Sequence, residues 1–154
     1  WIASFQYCLR QITLNLPQKF SELQMNKHLK YKILVKQSVC GTGPNFADKY
    51  QMIIEFRNMS NQLVHKIDDG EMTVSEQWKT LLYEYEVENN PQNPAAQIYY
   101  VVITERAKDV EYWAGHYGTR VRSPMVTILF DAKHSKESTN VSIVDALSIK
   151  RNRL

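Results

Sequence analysis

Apolar and polar residues alternate in several short stretches of this chain, and this period of two constrains the fold more than any other feature. Residues 83–88 have the sequence YEYEVE, and residues 12–16 have the sequence ITLNL. Successive side chains of a β-strand point to opposite faces, so this alternation is typical of strands buried on one face. Further β-branched or aromatic runs are predicted to be strands, at residues 31–36, 50–56, 98–104 and 125–130.

Turn-forming residues separate these runs, and helical patterns are scarce. The segments 41–45 (GTGPN), 68–70 (DDG) and 89–94 (NNPQNP) are typical of loops. One short helix is predicted to begin after Asn15 or Leu16, with Pro17 at its first position. Many short strands with one or two short helices predict a mainly all-β fold, an antiparallel sandwich or jelly roll.

The chain of 154 residues has the length of one domain with a short appendage. Its composition changes after Asp131, where residues 132–140 become polar and resemble a linker. Residues 141–154 are too few to fold alone. Ile143, Val144 and Leu147 have approximately helical spacing, so the alternatives are a tail docked at the periphery and a partner-binding helix.

The residues that catalysis or metal binding requires are not arranged in any recognised pattern. The four histidines are scattered, and neither a Cys-x-x-Cys pair, a phosphate-binding loop nor a Gly-x-Ser-x-Gly elbow is present. We therefore predict a protein that is not an enzyme and that needs neither metal nor cofactor. A net charge of +3 does not indicate nucleic-acid binding, and no apolar run reaches the ~18 residues of a membrane span.

The two cysteines, Cys8 and Cys40, are too few for a disulfide framework. Buried thiols in a reducing compartment are the favoured interpretation, and a Cys8–Cys40 disulfide is the alternative. Asn58 and Asn140 each begin a glycosylation acceptor pattern, which has meaning only in a secreted protein.

Residues 111–124, with the sequence EYWAGHYGTRVRSP, combine adjacent aromatic side chains with glycines that permit a tight loop. Two interpretations are open at this point. The stretch is either a glycine-bent corner whose Trp113 packs into the core, or a loop that presents Tyr112 and Trp113 to a ligand.

The segment 112–121 (YWAGHYGTRV) resembles the signature near the end of the F-box-associated domain, in which an aromatic-Trp pair precedes Gly-aromatic-aromatic-Gly-x-Arg-Val. Asp109, four residues before Trp113, also fits this pattern. The upstream segments 4–8 (SFQYC), 20–23 (FSEL), 33–36 (ILVK) and 50–53 (YQMI) resemble the same family in order. The resemblance covers residues 1–131, which leaves 132–154 as linker and tail.

The resemblance implies a galactose-binding-like β-sandwich that captures substrates for SCF ubiquitin ligases in the cytoplasm. Such a domain recognises a substrate protein, or the chitobiose core of a high-mannose N-glycan on a misfolded glycoprotein. The Skp adaptor would bind through an F-box outside this segment. The alternative is a secreted lectin-like or adhesion module with a galactose-binding-like fold and no link to ubiquitin.

The family's ligand-binding positions can be carried over to this sequence. The resemblance implies Phe5 from the opening motif, Asn45 from the loop before the 50–56 strand, and the pair Tyr112 and Trp113. A shift in the loop would put Asp48 in place of Asn45. Ala114 stands where the strongest sugar binders have Lys, and residues 105–107 (ERA) replace a His-Gly-Gly motif. We therefore expect the aromatic side chains that would stack on a ligand to be present, and the polar residues beside them to differ from those of the family.

Overall fold

Strand pairing in the computed structural model divides the chain between two antiparallel sheets. The structure describes residues 7–19, 30–43, 48–89, 92–110, 118–130 and 141–143. The first sheet contains β1 (Cys8–Asn15), β7 (Tyr100–Lys108), β3 (Asp48–Arg57) and β4 (Leu63–Asp68) in that order, and β5 (Met72–Val74) also pairs with β3. The second contains β10 (Val141–Ile143), β9 (Met125–Phe130), β2 (Lys30–Cys40) and β6 (Lys79–Glu88) in that order, and β8 (Arg120–Val121) also pairs with β2.

The core lies between the two sheets because alternate residues of each strand point inward. Along β3 every second side chain is buried, beginning at Asp48 and including Tyr50, Ile54 and Phe56. The second sheet contributes Ile33 and Val35 of β2 with several residues of β9 and β6. Burying one such side chain contributes about 1.5–3 kcal/mol relative to leaving it exposed. The prediction of an all-β antiparallel sandwich is confirmed.

All six predicted strands are present, and most of them have different bounds. Residues 125–130 form β9 as predicted, whereas β2 and β3 extend beyond their predicted segments at both ends. The strand predicted at 98–104 begins two residues later and continues to Lys108. Strands β4 and β5 are not among the predicted strands. β4 lies at a sheet edge, where half-exposed and polar residues are tolerated, so its sequence does not show a clear alternation.

The predicted short helix is present as α1 (Leu16–Lys19). Asn15 accepts a hydrogen bond at its Oδ1 from the backbone N of Gln18, at 3.3 Å, and so caps the first turn. Pro17 fits this turn because its missing N–H has no intrahelical partner there. A second short element is a 3₁₀ turn at Pro94–Ala96.

Three residues of the predicted tail belong to the second sheet. Val141–Ile143 form β10, which pairs antiparallel with β9, so that Val141 lies opposite Ile128 and Ile143 opposite Val126. Ile143 therefore lies in a strand and not in the partner-binding helix, which is one of the two alternatives for residues 141–154.

A buried polar cluster connects the two sheets inside the sandwich. Glu105 of β7 accepts hydrogen bonds from Arg10 of β1 and from the hydroxyl of Tyr50 of β3, the latter at 2.8 Å. Arg10 also donates to the backbone oxygen of Arg122, which follows β8 in the second sheet, at 2.9 Å. Gln37 of β2 donates to the same oxygen at 2.7 Å. The cluster therefore fixes the first sheet against the second by hydrogen bonds as well as by apolar packing.

Candidate functional site

Five strand ends lie together at one end of the sandwich, which we call the loop end and define by Cys8, Cys40, Asp48, Lys108 and Arg120. In the first sheet, Cys8 at the start of β1 lies opposite Ala107, and Lys49 near the start of β3 lies opposite Lys108. In the second, Cys40 at the end of β2 lies opposite Arg120 of β8. A hydrogen bond of 3.1 Å from the hydroxyl of Thr119 to the backbone oxygen of Lys49 connects the two sheets there.

The predicted ligand-binding residues belong to segments attached to the loop end. Phe5, Asn45, Tyr112, Trp113 and Ala114 all lie outside the described residues. Their flanking strands are described, however, and β1, β2, β3, β7 and β8 each start or finish at this end. Segments far apart in the sequence are thus tethered to one place on the sandwich.

Tight packing joins the two stems of the segment that carries the aromatic pair. Gly118 follows the segment and lies directly against Asp109, which precedes it. A Cβ atom added at Gly118 would be 2.8 Å from the Asp109 Cβ and 2.9 Å from its backbone nitrogen. Asp109 and Thr119 are both buried. Glycine is therefore required at 118 by close backbone approach.

Asp48 stabilises the β2–β3 loop from inside the protein. It is fully buried, and its Oδ2 accepts hydrogen bonds from the backbone N and the hydroxyl of Thr42, at 2.9 and 2.7 Å. Burial raises the pKa of the Asp48 carboxyl, and the neighbouring Asp109 raises it further, while Thr42 and Arg120 act in the opposite direction. This geometry gives Asp48 an internal structural role and leaves Asn45 as the candidate on that loop for ligand contact.

Residues 105–107, which stand where the F-box-associated domain that this sequence resembles has His-Gly-Gly, lie within β7. Glu105 and Ala107 face the core and are fully buried. Arg106 faces outward, with its guanidinium carbon 4.9 Å from the ring centre of Tyr7. Glu105 therefore joins Arg10 in the interior and does not contribute a polar group to the rim of the loop end.

Trp78 is an exposed aromatic side chain at the loop end that the sequence analysis did not single out. It immediately precedes β6, where Lys79 lies opposite Val39 near the end of β2. The guanidinium carbon of Arg122 lies 4.4 Å from the Trp78 ring centre, and 49% of Trp78 is exposed. The sequence signal that could have identified Trp78 is a large aromatic residue within the otherwise polar segment 75–79 (SEQWK). Trp78 and Arg122 together offer a flat cationic and aromatic surface.

Two further features are absent from the described part of the chain, a metal-binding cluster and a helix that could span a membrane. No group of three or more His, Cys, Asp and Glu side chains is arranged there to hold a metal ion. None of the helices found in the same residues combines the length and the apolar character that crossing a bilayer requires.

Comparison with known proteins finds similarity in fold. No family model matches the sequence, and no curated protein matches it. Three structures of infectious bursal disease virus match in fold. The T13 viral particle matches with a TM-score of 0.50 and 6% identity over 87% of this chain and 29% of that chain, and the Gx strain with a TM-score of 0.51 and 8% identity over 87% of this chain and 32% of that chain. The VP2 subviral particle matches with a TM-score of 0.50 and 9% identity over 92% of this chain and 32% of that chain. Our chain spans about a third of each of those chains. Identity this low shows a shared fold alone.

Proposed function

We propose that this chain is a non-catalytic substrate-recognition domain similar to the F-box-associated domain. It binds at the loop end a cytoplasmic substrate, either a protein or an N-glycoprotein, that is delivered to a ubiquitin ligase. The Skp adaptor binds through an F-box outside this segment. The observation that carries the proposal is the convergence of the flanking strands of residues 1–6, 44–47 and 111–117 at one end of the sandwich.

The residue types of these segments suit recognition without catalysis. Tyr112 and Trp113 each combine an apolar ring with one polar group, which suits the face and hydroxyls of a sugar and equally the side chains of a protein. Ala114 has no donor to offer, whereas a Lys there donates hydrogen bonds to hydroxyls. Losing one or two such bonds costs about 1–3 kcal/mol, or about tenfold to a hundredfold in affinity. The substitution therefore favours a protein ligand over a glycan.

One observation argues against the alternative of a secreted adhesion module. Asn58, which begins a glycosylation acceptor pattern, is only 5% exposed. Its Nδ2 donates to Gln62 Oε1 and to the backbone oxygen of Ala95, each at 3.1 Å. Attachment of a glycan replaces one of the two hydrogens on this nitrogen, so it would remove at least one of these bonds and would require exposure of a buried side chain. Mass spectrometry of the protein from its native source tests this, since a glycan on Asn58 would support the secreted alternative.

The ligase role is tested by affinity capture with the full-length protein. We expect the Skp adaptor to be retained, and retention to be lost when the F-box is removed. Failure of the full-length protein to retain the adaptor in its own cells rejects this part of the proposal. Ubiquitinated proteins captured by the wild type and lost with Trp113→Ala would identify the substrates.

The glycan branch is tested by titration with chitobiose while tryptophan fluorescence is followed. The chain has three tryptophans, so Trp78→Phe is the matched control and Trp113→Ala the test variant. A saturable change that disappears only in Trp113→Ala supports glycan binding. No change at millimolar sugar, which corresponds to about −4 kcal/mol or weaker, eliminates the glycan branch and leaves the protein ligand. Thermal unfolding of Trp113→Ala shows whether Trp113 acts in binding or in core packing.

A further inference from the structure

A shallow groove lies on the outer face of the first sheet, away from the loop end. It has a volume of about 440 Å³, within the roughly 300–1,000 Å³ of small-molecule sites. We call it the outer groove, and it is lined by Gln11, Thr13, Arg57, Asn61, Tyr100 and Val102. Tyr100 lies eight residues along β7 from Lys108, or roughly 26 Å from the loop end at the usual rise per residue, and Gln11, the nearest lining residue on β1, lies three residues or roughly 10 Å from Cys8.

The floor of the groove is apolar and its walls are polar. Val102 points to the outer face of the sheet, yet only 7% of it is exposed. Thr13 lies opposite Val102 in the β1–β7 pair, and Tyr100 lies opposite Arg57 in the β3–β7 pair. Residues from three strands thus surround Val102 and present a half-buried aromatic ring, a hydroxyl and charged or amide groups.

The guanidinium of Arg57 is held in place and neutralised before any ligand binds. Its Nε and Nη2 donate to Glu55 Oε2 at 3.2 and 2.8 Å. Its Nη1 donates to the backbone oxygen of Asn61 at 3.1 Å. Asn61 has a φ of 61°, in the left-handed region that few residues other than glycine adopt. Asn tolerates this region better than most residues that carry a side chain, and the turn places the backbone and side-chain oxygens of Asn61 beside Arg57 Nη1.

The chemistry of the groove selects a class of ligand. The Arg57–Glu55 pair leaves the site with no net charge, which gives no advantage to an anionic or cationic ligand. Gln11 and Asn61 offer amide donors and acceptors, Thr13 a hydroxyl, and Tyr100 a ring face against which an apolar surface can pack. We propose that the outer groove binds a neutral polyhydroxylated ligand, a short uncharged oligosaccharide. This proposal uses residues separate from the loop end and is independent of the proposed function.

Nuclear magnetic resonance of the ¹⁵N-labelled protein tests the proposal directly. The probes are cellobiose, maltose, lactose and mannobiose at millimolar concentration, with cellobiouronic acid as the anionic match for cellobiose. We expect at least one neutral sugar to shift the side-chain amide signals of Gln11 and Asn61 saturably, and the uronic acid to bind more weakly than cellobiose. The proposal is overturned if none of these sugars shifts those signals, or if the uronic acid binds more tightly.

Matched variants separate binding from folding. Asn61→Gly removes the amide while keeping a backbone that adopts positive φ without strain, so we expect at least fivefold weaker binding with an unchanged Tm. Thr13→Val should also weaken binding, whereas Thr80→Val, on an exposed face of the second sheet, should not. Equal binding by Thr13→Val and the wild type contradicts the proposal. Trp113→Ala should leave groove binding unchanged when its Tm matches that of the wild type, and a loss of binding by the folded variant would assign the sugar to the loop end instead.

Discussion

Glu105 of β7 and Arg10 of β1 form an ion pair that is closed off from solvent inside the sandwich. Burial raises the pKa of the Glu105 carboxyl, and the Arg10 guanidinium and the Tyr50 hydroxyl oppose this shift. Arg10 also reaches the backbone of the second sheet at Arg122. Because each charge has several partners, the pair is tolerated in the core and fixes the relative position of the two sheets.

Removing one member of this pair should be far more costly than removing both. Glu105→Gln leaves the Arg10 charge buried without its carboxylate, and we expect a loss of about 3–5 kcal/mol in the free energy of unfolding. The double variant Arg10→Met/Glu105→Leu should recover most of this loss. Glu88→Gln, in an exposed ion pair with Lys30, is the control and should change stability by less than about 1 kcal/mol. Urea denaturation measures all three, and a double variant as unstable as Glu105→Gln would contradict this account.

The strands could be predicted because each amphipathic run is visible locally in the sequence, as at residues 83–88. The buried ion pair was also signalled, though not recognised. Arg10 stands on the same face as Ile12 and Leu14, and Glu105 stands between Ile103 and Ala107 on the inner face of β7. Two opposite charges on apolar faces of different strands indicate a buried pair once the two strands are known to be neighbours.

The outer groove could not be predicted, because pairing across long sequence distances creates it. Gln11, Arg57 and Tyr100 become neighbours only when β1, β7 and β3 lie side by side. The binding residues inferred from the family resemblance stay predictions, since Phe5, Asn45, Tyr112, Trp113 and Ala114 lie outside the described residues. What the structure adds is the common location of the strands that flank them.

Gly118→Ala should destabilise the protein at the stems of the aromatic segment. The new methyl group would lie 2.8 Å from the Asp109 Cβ and 2.9 Å from its backbone nitrogen, so the backbone itself must move. We expect a loss of about 1–3 kcal/mol and weaker binding at the loop end. Gly70→Asn is the control, because Gly70 has open space and a φ of +78° that Asn tolerates. Thermal unfolding of both variants checks this, and an equal Tm for Gly118→Ala and the wild type would show that the stems are not in contact.

Thr42→Val should loosen the β2–β3 loop by removing one of the two hydrogen bonds from Thr42 to Asp48. The backbone bond remains, so we expect a loss of about 1 kcal/mol in stability. Asp48→Ala removes the acceptor of both bonds and should cost more. Hydrogen exchange at the Thr42 amide measures the local effect. Unchanged protection of the Thr42 amide from exchange in Asp48→Ala would mean that Asp48 does not hold this loop. Asp48 would then again be a candidate for ligand binding.

Alkali should destabilise the protein as pH rises from 10 towards 12. Burial, followed by the nearby Asp69 carboxylate, raises the pKa of Tyr83 to about 12, and burial raises the pKa of Tyr31 and Tyr50 even more strongly. An unfolded tyrosine ionises near pH 10, so the unfolded chain releases protons first and stability falls over this range. Phenolate absorbance should show a late-titrating class that is smaller by one in Tyr83→Phe. A single transition near pH 10 with the fold intact would contradict this prediction.

Acid should weaken the β3–β4 hairpin between pH 4 and pH 2. Hydrogen bonds from Lys66 and Gln51 to the Asp68 carboxylate lower its pKa to about 2. A depressed folded pKa contributes stability that is fully present above the unfolded value near 4 and is lost as pH falls through 2. The difference in urea midpoint between the wild type and Asp68→Asn should therefore be largest at neutral pH and shrink as the pH falls to 2. Lys66→Met removes the main cause of the lowered Asp68 pKa, so in this variant the loss of stability should occur at higher pH. A difference in urea midpoint that does not depend on pH would show that Asp68 is not held by these bonds.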